Sequence, residues 1–203
     1  MWNKLNYVPL VILLCSFFAN ANTDGNLQGW IHNDFDQDVI VKPFVWTAAA
    51  RDTNSKGWVL NTARAPYIVK PGERVMFDWI WGIEASGIAA AFGKTFMKGA
   101  LVQVGDRNFE IWFAATFSGD GPLINVRRAE ACVSLATPVI GQGCIVGHPD
   151  QPVLKDAKNW WMAQGFKENR IEFYKGEGLL IAAEGVAYPI TQSPDVRFLF
   201  KKI

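Results

Sequence analysis

The chain has 203 residues, half of them hydrophobic and 19% charged, which excludes wholesale disorder and predicts a buried core. Twenty basic side chains against 19 acidic ones leave it near neutrality, which argues against a generally basic nucleic-acid binder. Nine tryptophans are many for a chain of this length.

The first 21 residues read as an export signal, with Lys4 as the basic n-region, an apolar run from Val8 to Phe18, and Ala19-Asn20-Ala21 as an A-x-A cleavage site. That run of about 11 residues is too short for a bilayer span, which takes roughly 20. Leu14 before Cys15 departs from a lipobox. Residues 22–203 are expected to form one domain, secreted or periplasmic, with eight of the tryptophans and 19 basic side chains against 19 acidic ones. Two cysteines remain there, Cys132 and Cys144, and an even pair in an exported chain predicts a disulfide.

Period-two patterns dominate the chain after the signal. Trp30 to Asn33 opens the fold, and Asp34 to Asp38 makes a polar turn. Val39 to Trp46 is apolar on both faces, which predicts a strand lying between two layers, with Pro43 needing an edge or a bulge. Trp58–Leu60 and Tyr67–Val69 are short strands. Lys70-Pro71-Gly72-Glu73 has the residues of a type II turn. In the strand Arg74–Trp81, strict alternation sets Phe77, Trp79 and Trp81 on one face and Met76, Asp78 and Ile80 on the other.

Residues 85–100 are rich in alanine and glycine, and the glycines argue for tightly packed strands over a helix. Ala100–Val104 and Phe109–Ser118 read as a hairpin about Gly105 to Asn108. Leu123–Arg127 and Cys132–Ile140 are further strands. Asp150–Gly165 reads as a helix, capped by Asp150, with Pro152 in its first turn and Leu154, Ala157 and Trp161 on one face. Ile171–Tyr174, Leu179–Ala183 and Val196–Lys202 finish the chain. The expectation is an all-β fold, a single-domain β-sandwich of roughly ten to twelve strands with one late α-helix.

Catalytic constellations are scarce. Neither His32 nor His148 belongs to a zinc motif, and there is no G-x-S-x-G elbow. Asp34 to Asp38 imitates a calcium loop, but Val39 and Val45 stand where such a loop needs Gly and Glu. Glu84 and Glu110 can be nominated as a hydrolytic pair only arbitrarily. No cofactor and no metal is expected. The tryptophans carry more. Trp30, Trp46, Trp58 and Trp112 fall in strand patterns and are expected in the core. Trp79 and Trp81 either fill the core or form an aromatic shelf. Trp160 and Trp161 are neighbours on the expected helix, so one of them should reach the surface or an interface. Indoles suit the membrane–water boundary and sugar faces, so Trp79, Trp81, Trp160 and Trp161 are the candidate ligand-binding residues.

Trp30 to Asn33, Gln37 to Lys42 and Tyr67 to Glu73 resemble the opening of aegerolysins, small β-sandwich proteins that recognise membrane lipids. The small-residue stretch Ser86 to Ala91, followed by a hairpin ending in Phe113 to Ser118, resembles the related actinoporin pattern. The resemblance covers residues 29–128. It implies membrane binding and a cytolysin-like or toxin-accessory role. Only Asn22 to Gly29 precede the first strand, where actinoporins carry an amphipathic helix, so binding without autonomous pore formation is the closer expectation. The expected function is therefore non-enzymatic binding of membrane lipid headgroups through exposed aromatics. A carbohydrate- or protein-binding module is the alternative, and an exported hydrolase comes third. The expected partner is a membrane lipid or glycan, with a partner protein open and nucleic acid excluded.

Overall fold

The computed structural model describes residues 27–47, 57–80, 95–118, 125–147, 153–155, 158–161, 169–186 and 195–203. The export signal, Trp81, Glu84 and His148 lie outside them. Fourteen strands account for the regular structure of the described residues, with no helix among them. In chain order these are β1 (Leu27–Asp34), β2 (Val39–Trp46), β3 (Trp58–Leu60), β4 (Tyr67–Val69), β5 (Arg74–Ile80), β6 (Thr95–Val104) and β7 (Arg107–Ser118). They continue as β8 (Asn125–Leu135), β9 (Ile145–Val146), β10 (Val153–Leu154), β11 (Lys158–Trp161), β12 (Asn169–Gly176), β13 (Leu179–Val186) and β14 (Asp195–Lys202).

The smaller main sheet has the order β12-β13-β14-β1-β5, in which β1 and β14 run parallel. The larger has the order β11-β8-β7-β6-β2-β3, with β4 also paired to β2. The short β9 and β10 pair with each other. The polar turn 35–38 carries the chain from one sheet to the other, and Asn33 anchors it. The buried Asn33 amide donates to the carbonyls of Gln37 and Val69, at 2.8 and 2.7 Å, while its oxygen accepts from the Phe35 N–H. The turn at 70–73 forms as its residues require: Gly72 takes a φ of +82°, and the Glu73 N–H donates to the Lys70 carbonyl at 2.9 Å.

One buried apolar cluster draws on both sheets. Leu27, Ile31, Phe77, Ile181 and Phe198 come from the smaller, and Val39, Val102, Ile111, Phe113 and Ala131 from the larger. Alternation explains the membership along β7, where Phe109, Ile111, Phe113 and Ala115 all enter it. Phe77 meets Phe113 edge to face, with ring centroids 5.5 Å apart.

Three expectations are corrected. The late helix does not form. Where it is described, Asp150–Gly165 contains β10 and β11 instead. Val153 and Leu154 pair with Val146 and Ile145, the Lys155 N–H donates to the Cys144 carbonyl at 2.6 Å, and Lys158 to Trp161 pair with the edge of β8. Helix propensity is a weak preference, and an open sheet edge beside aromatic and β-branched residues outweighs it. Second, Leu123–Arg127 and Cys132–Ile140 are not separate strands. A single β8 ends at Leu135, and residues 138–144 turn. Third, strict alternation fails in β5. Gly29 pairs with Asp78 and Trp30 with Met76, so Phe77 is an extra residue at a bulge. Phe77 and Ile80 both reach the core, while Trp79 stays outside it.

Candidate functional site

The larger sheet has a second apolar cluster on the face turned away from the smaller sheet. Phe44, Trp58, Met97, Trp112, Ala114 and Cys132 form it, together with Cys144, Ile145 and Leu154 from the segment that crosses over them. The apolar-on-both-faces pattern of β2 is thereby explained: Val39 and Val41 enter the inter-sheet core, and Phe44 enters the outer cluster.

Two linkages hold the crossing segment down. The Cys132–Cys144 disulfide forms, with a Cα–Cα distance of 5.9 Å. Glu110, buried on β7, accepts from the Trp112 indole N–H at 3.0 Å and from the Gly141 N–H at 2.7 Å. Burial pushes the Glu110 carboxyl up from the usual carboxylate range, and the bonds from Trp112, Gly141 and Thr137 pull it back. A carboxylate so engaged is a strut for this segment.

An aromatic ladder crosses the outer cluster toward the sheet edge. Phe44 stacks on Trp112 with centroids 5.0 Å apart, Trp112 meets Trp58 edge to face at 5.2 Å, and Trp58 meets Trp46 edge to face at 5.5 Å. Two glycines make room for it. A Cβ on Gly99 would stand 2.4 Å from the Trp112 ring, and one on Gly57 would stand 2.4 Å from the Trp46 ring. Gly57 also takes a φ of +88°, open mainly to glycine. Trp112 is fully buried and Trp58 is only 5% exposed, but Trp46 is 37% exposed. Leu60 on the neighbouring β3 is exposed as well, and Ile68 is exposed toward the other end of β2, opposite Ile40. Phe44 pairs with Leu60, Trp46 with Trp58, and Ile40 with Ile68, so β2, β3 and β4 together present an apolar rim.

The indole N–H of Trp58 is buried and meets no hydrogen-bond acceptor among the described residues. The ladder thus ends in an exposed indole lying against a buried one whose single donor is unused.

Of the four tryptophans selected from sequence, only Trp79 has a described side chain. Trp79 is half-buried on β5, with the Arg64 guanidinium 5.9 Å from its ring centroid. Arg64 belongs to the turn joining β3 to β4, so Trp79 flanks the rim. Trp81 lies outside the described residues. The backbone at Trp160 and Trp161 pairs with Ala129 and Arg128, at the far edge of the larger sheet. Four strand steps separate β11 from β2, or about 19 Å at the usual spacing. The residue that sequence reasoning assigned to the core and the structure exposes is Trp46. Its signal was weak: a strand-end indole, with Gly57-Trp58 beginning the next strand.

On the other outer face, His32 is only 8% exposed. Burial, and then the Arg74 and Arg197 guanidiniums, lower its pKa from 6.5 to about 4, so the imidazole is neutral at physiological pH. The Asp34–Asp38 segment is a turn whose carboxylates pair with the last strand, Asp34 with Lys201 and Asp36 with Lys202.

No protein-family model matches the chain, and no curated protein matches it in sequence. Among the described residues no helix is long and apolar enough to cross a membrane.

Proposed function

We propose that this protein is a secreted β-sandwich that acts by binding, not catalysis, and that it attaches to the interfacial zone of lipid membranes through the β2–β4 rim. One observation carries this: the aromatic ladder rises from a buried base at Trp112 to an exposed indole at Trp46, with exposed Leu60 on the neighbouring strand and exposed Ile68 further along the same edge. An exposed indole at an apolar edge suits the membrane–water boundary. The near-zero net charge fits attachment by apolar insertion better than attraction to anionic lipid. The resemblance of residues 29–128 to aegerolysins and the related actinoporins supports the same direction, the aegerolysin style being attachment without autonomous perforation. The disulfide is in keeping with an oxidising, extracytoplasmic compartment.

Co-sedimentation with phosphatidylcholine vesicles tests this. The wild-type protein is expected to pellet with them, and Trp46→Ala to bind about tenfold more weakly, by the apolar area that it removes from the rim. Failure to bind vesicles, with capture by a glycan array, would replace the membrane by a sugar ligand.

A further inference from the structure

We infer that Trp46 covers a subsite for a neutral hydrogen-bond acceptor, the ester carbonyl of a glycerolipid, and that the Trp58 indole N–H donates to it. This rests on the membrane attachment proposed above and specifies its chemistry. An indole carries one donor and no acceptor. Burying that donor unpaired costs about 1–3 kcal/mol, so such groups are rare in folded proteins. Here the donor lies in an indole only 5% exposed, and no described residue accepts from it.

The surroundings select the ligand. Phe44, Met97, Trp112 and Ala114 share the cluster of Trp58 and make an apolar setting. A carbonyl oxygen attached to a hydrocarbon chain would satisfy the donor and bury its chain against the rim. Ester carbonyls also lie at the level of the bilayer that indoles favour, between headgroup and hydrocarbon.

The way in is through Trp46. Its ring meets the Trp58 ring edge to face at 5.5 Å and rests on the Gly57 backbone. It is the ladder's exposed member, and the proposed subsite requires its ring to turn off Trp58. The same turn would carry the Trp46 indole toward the membrane.

Paired vesicles test the subsite: diester phosphatidylcholine against its diether analogue, which has the same headgroup and chains but no carbonyl. The wild-type protein is expected to bind the diester about 3- to 10-fold more tightly, the value of one neutral hydrogen bond. Trp58→Phe, which keeps an aromatic ring and removes the donor, should abolish that preference. Equal binding of the two vesicles by the wild type, or a preference that survives Trp58→Phe, overturns the subsite and leaves membrane attachment standing. Binding to neither vesicle removes both. Should Trp58→Phe fail to fold, the wild-type indole N–H resonance of Trp58 decides. A downfield shift with diester micelles but not with diether micelles supports the subsite, and an unmoved resonance overturns it.

Discussion

The two apolar clusters use alternate positions of the same strands, yet they close differently. The inter-sheet core is covered on both sides by sheet, and interdigitating side chains such as Phe77, Phe113 and Phe198 suffice to fill it. The outer cluster has a sheet on one side only. Its lid is a short segment held by a disulfide and a buried carboxylate, while Gly57 and Gly99 make room for the indoles. Among the described residues, Trp46 is the exposed end of this layer's aromatic ladder. A layer closed by a tethered strap leaves a rim, and a rim of backed aromatics is a natural place for recognition.

The largest expected effect separates the two regions by their reach. Phe113→Ala empties part of the inter-sheet core and is expected to cost about 3–5 kcal/mol in denaturant unfolding, with protection from hydrogen exchange falling in both sheets. Replacing both Cys132 and Cys144 by serine is expected to cost about 3 kcal/mol, from a crosslink that closes a short loop. Its exchange signature should differ: residues 136–146 and β10 lose protection, while β13 and β14 keep theirs. If both variants loosen the same amides, the two clusters are one cooperative unit and the contrast fails.

His32 gives a smaller and pH-dependent control outside both clusters. It titrates near 4 in the folded protein, against 6.5 for an unperturbed histidine. Above 6.5 the imidazole is neutral folded or unfolded, and its contribution does not vary. As the pH falls from 6.5 toward 4 the unfolded chain takes up the proton first, so stability declines, by about 2–3 kcal/mol over that window. His32→Leu should flatten this part of the urea-midpoint profile. An unchanged profile would show that His32 titrates normally in the fold.

Much of the fold was legible because it follows from local rules. Alternation located β2, β7 and β14, Pro71-Gly72 located its turn, and the two cysteines located their bond. The misses share a cause: each depended on what lay across the sheet. The spacing of Leu154, Ala157 and Trp161 suits a helix until the edge of β8 offers a partner. The bulge at Phe77 is set by its neighbour β1, where Gly29 leaves room for the Phe77 and Phe113 rings. The candidate site was hidden for the same reason. Trp46 and Trp112 both sit in apolar strands, and nothing local tells which of them the crossing segment covers.

Membrane attachment through the β2–β4 rim, and not through the β11 edge, sets an order in which the indoles should meet lipid. Indole N–H resonances recorded with vesicles or bicelles carrying a spin-labelled lipid read that order. The Trp46 signal is expected to broaden first and most strongly, while that of the buried Trp112 persists. Broadening of Trp160 and Trp161 with Trp46 untouched would contradict attachment through the rim.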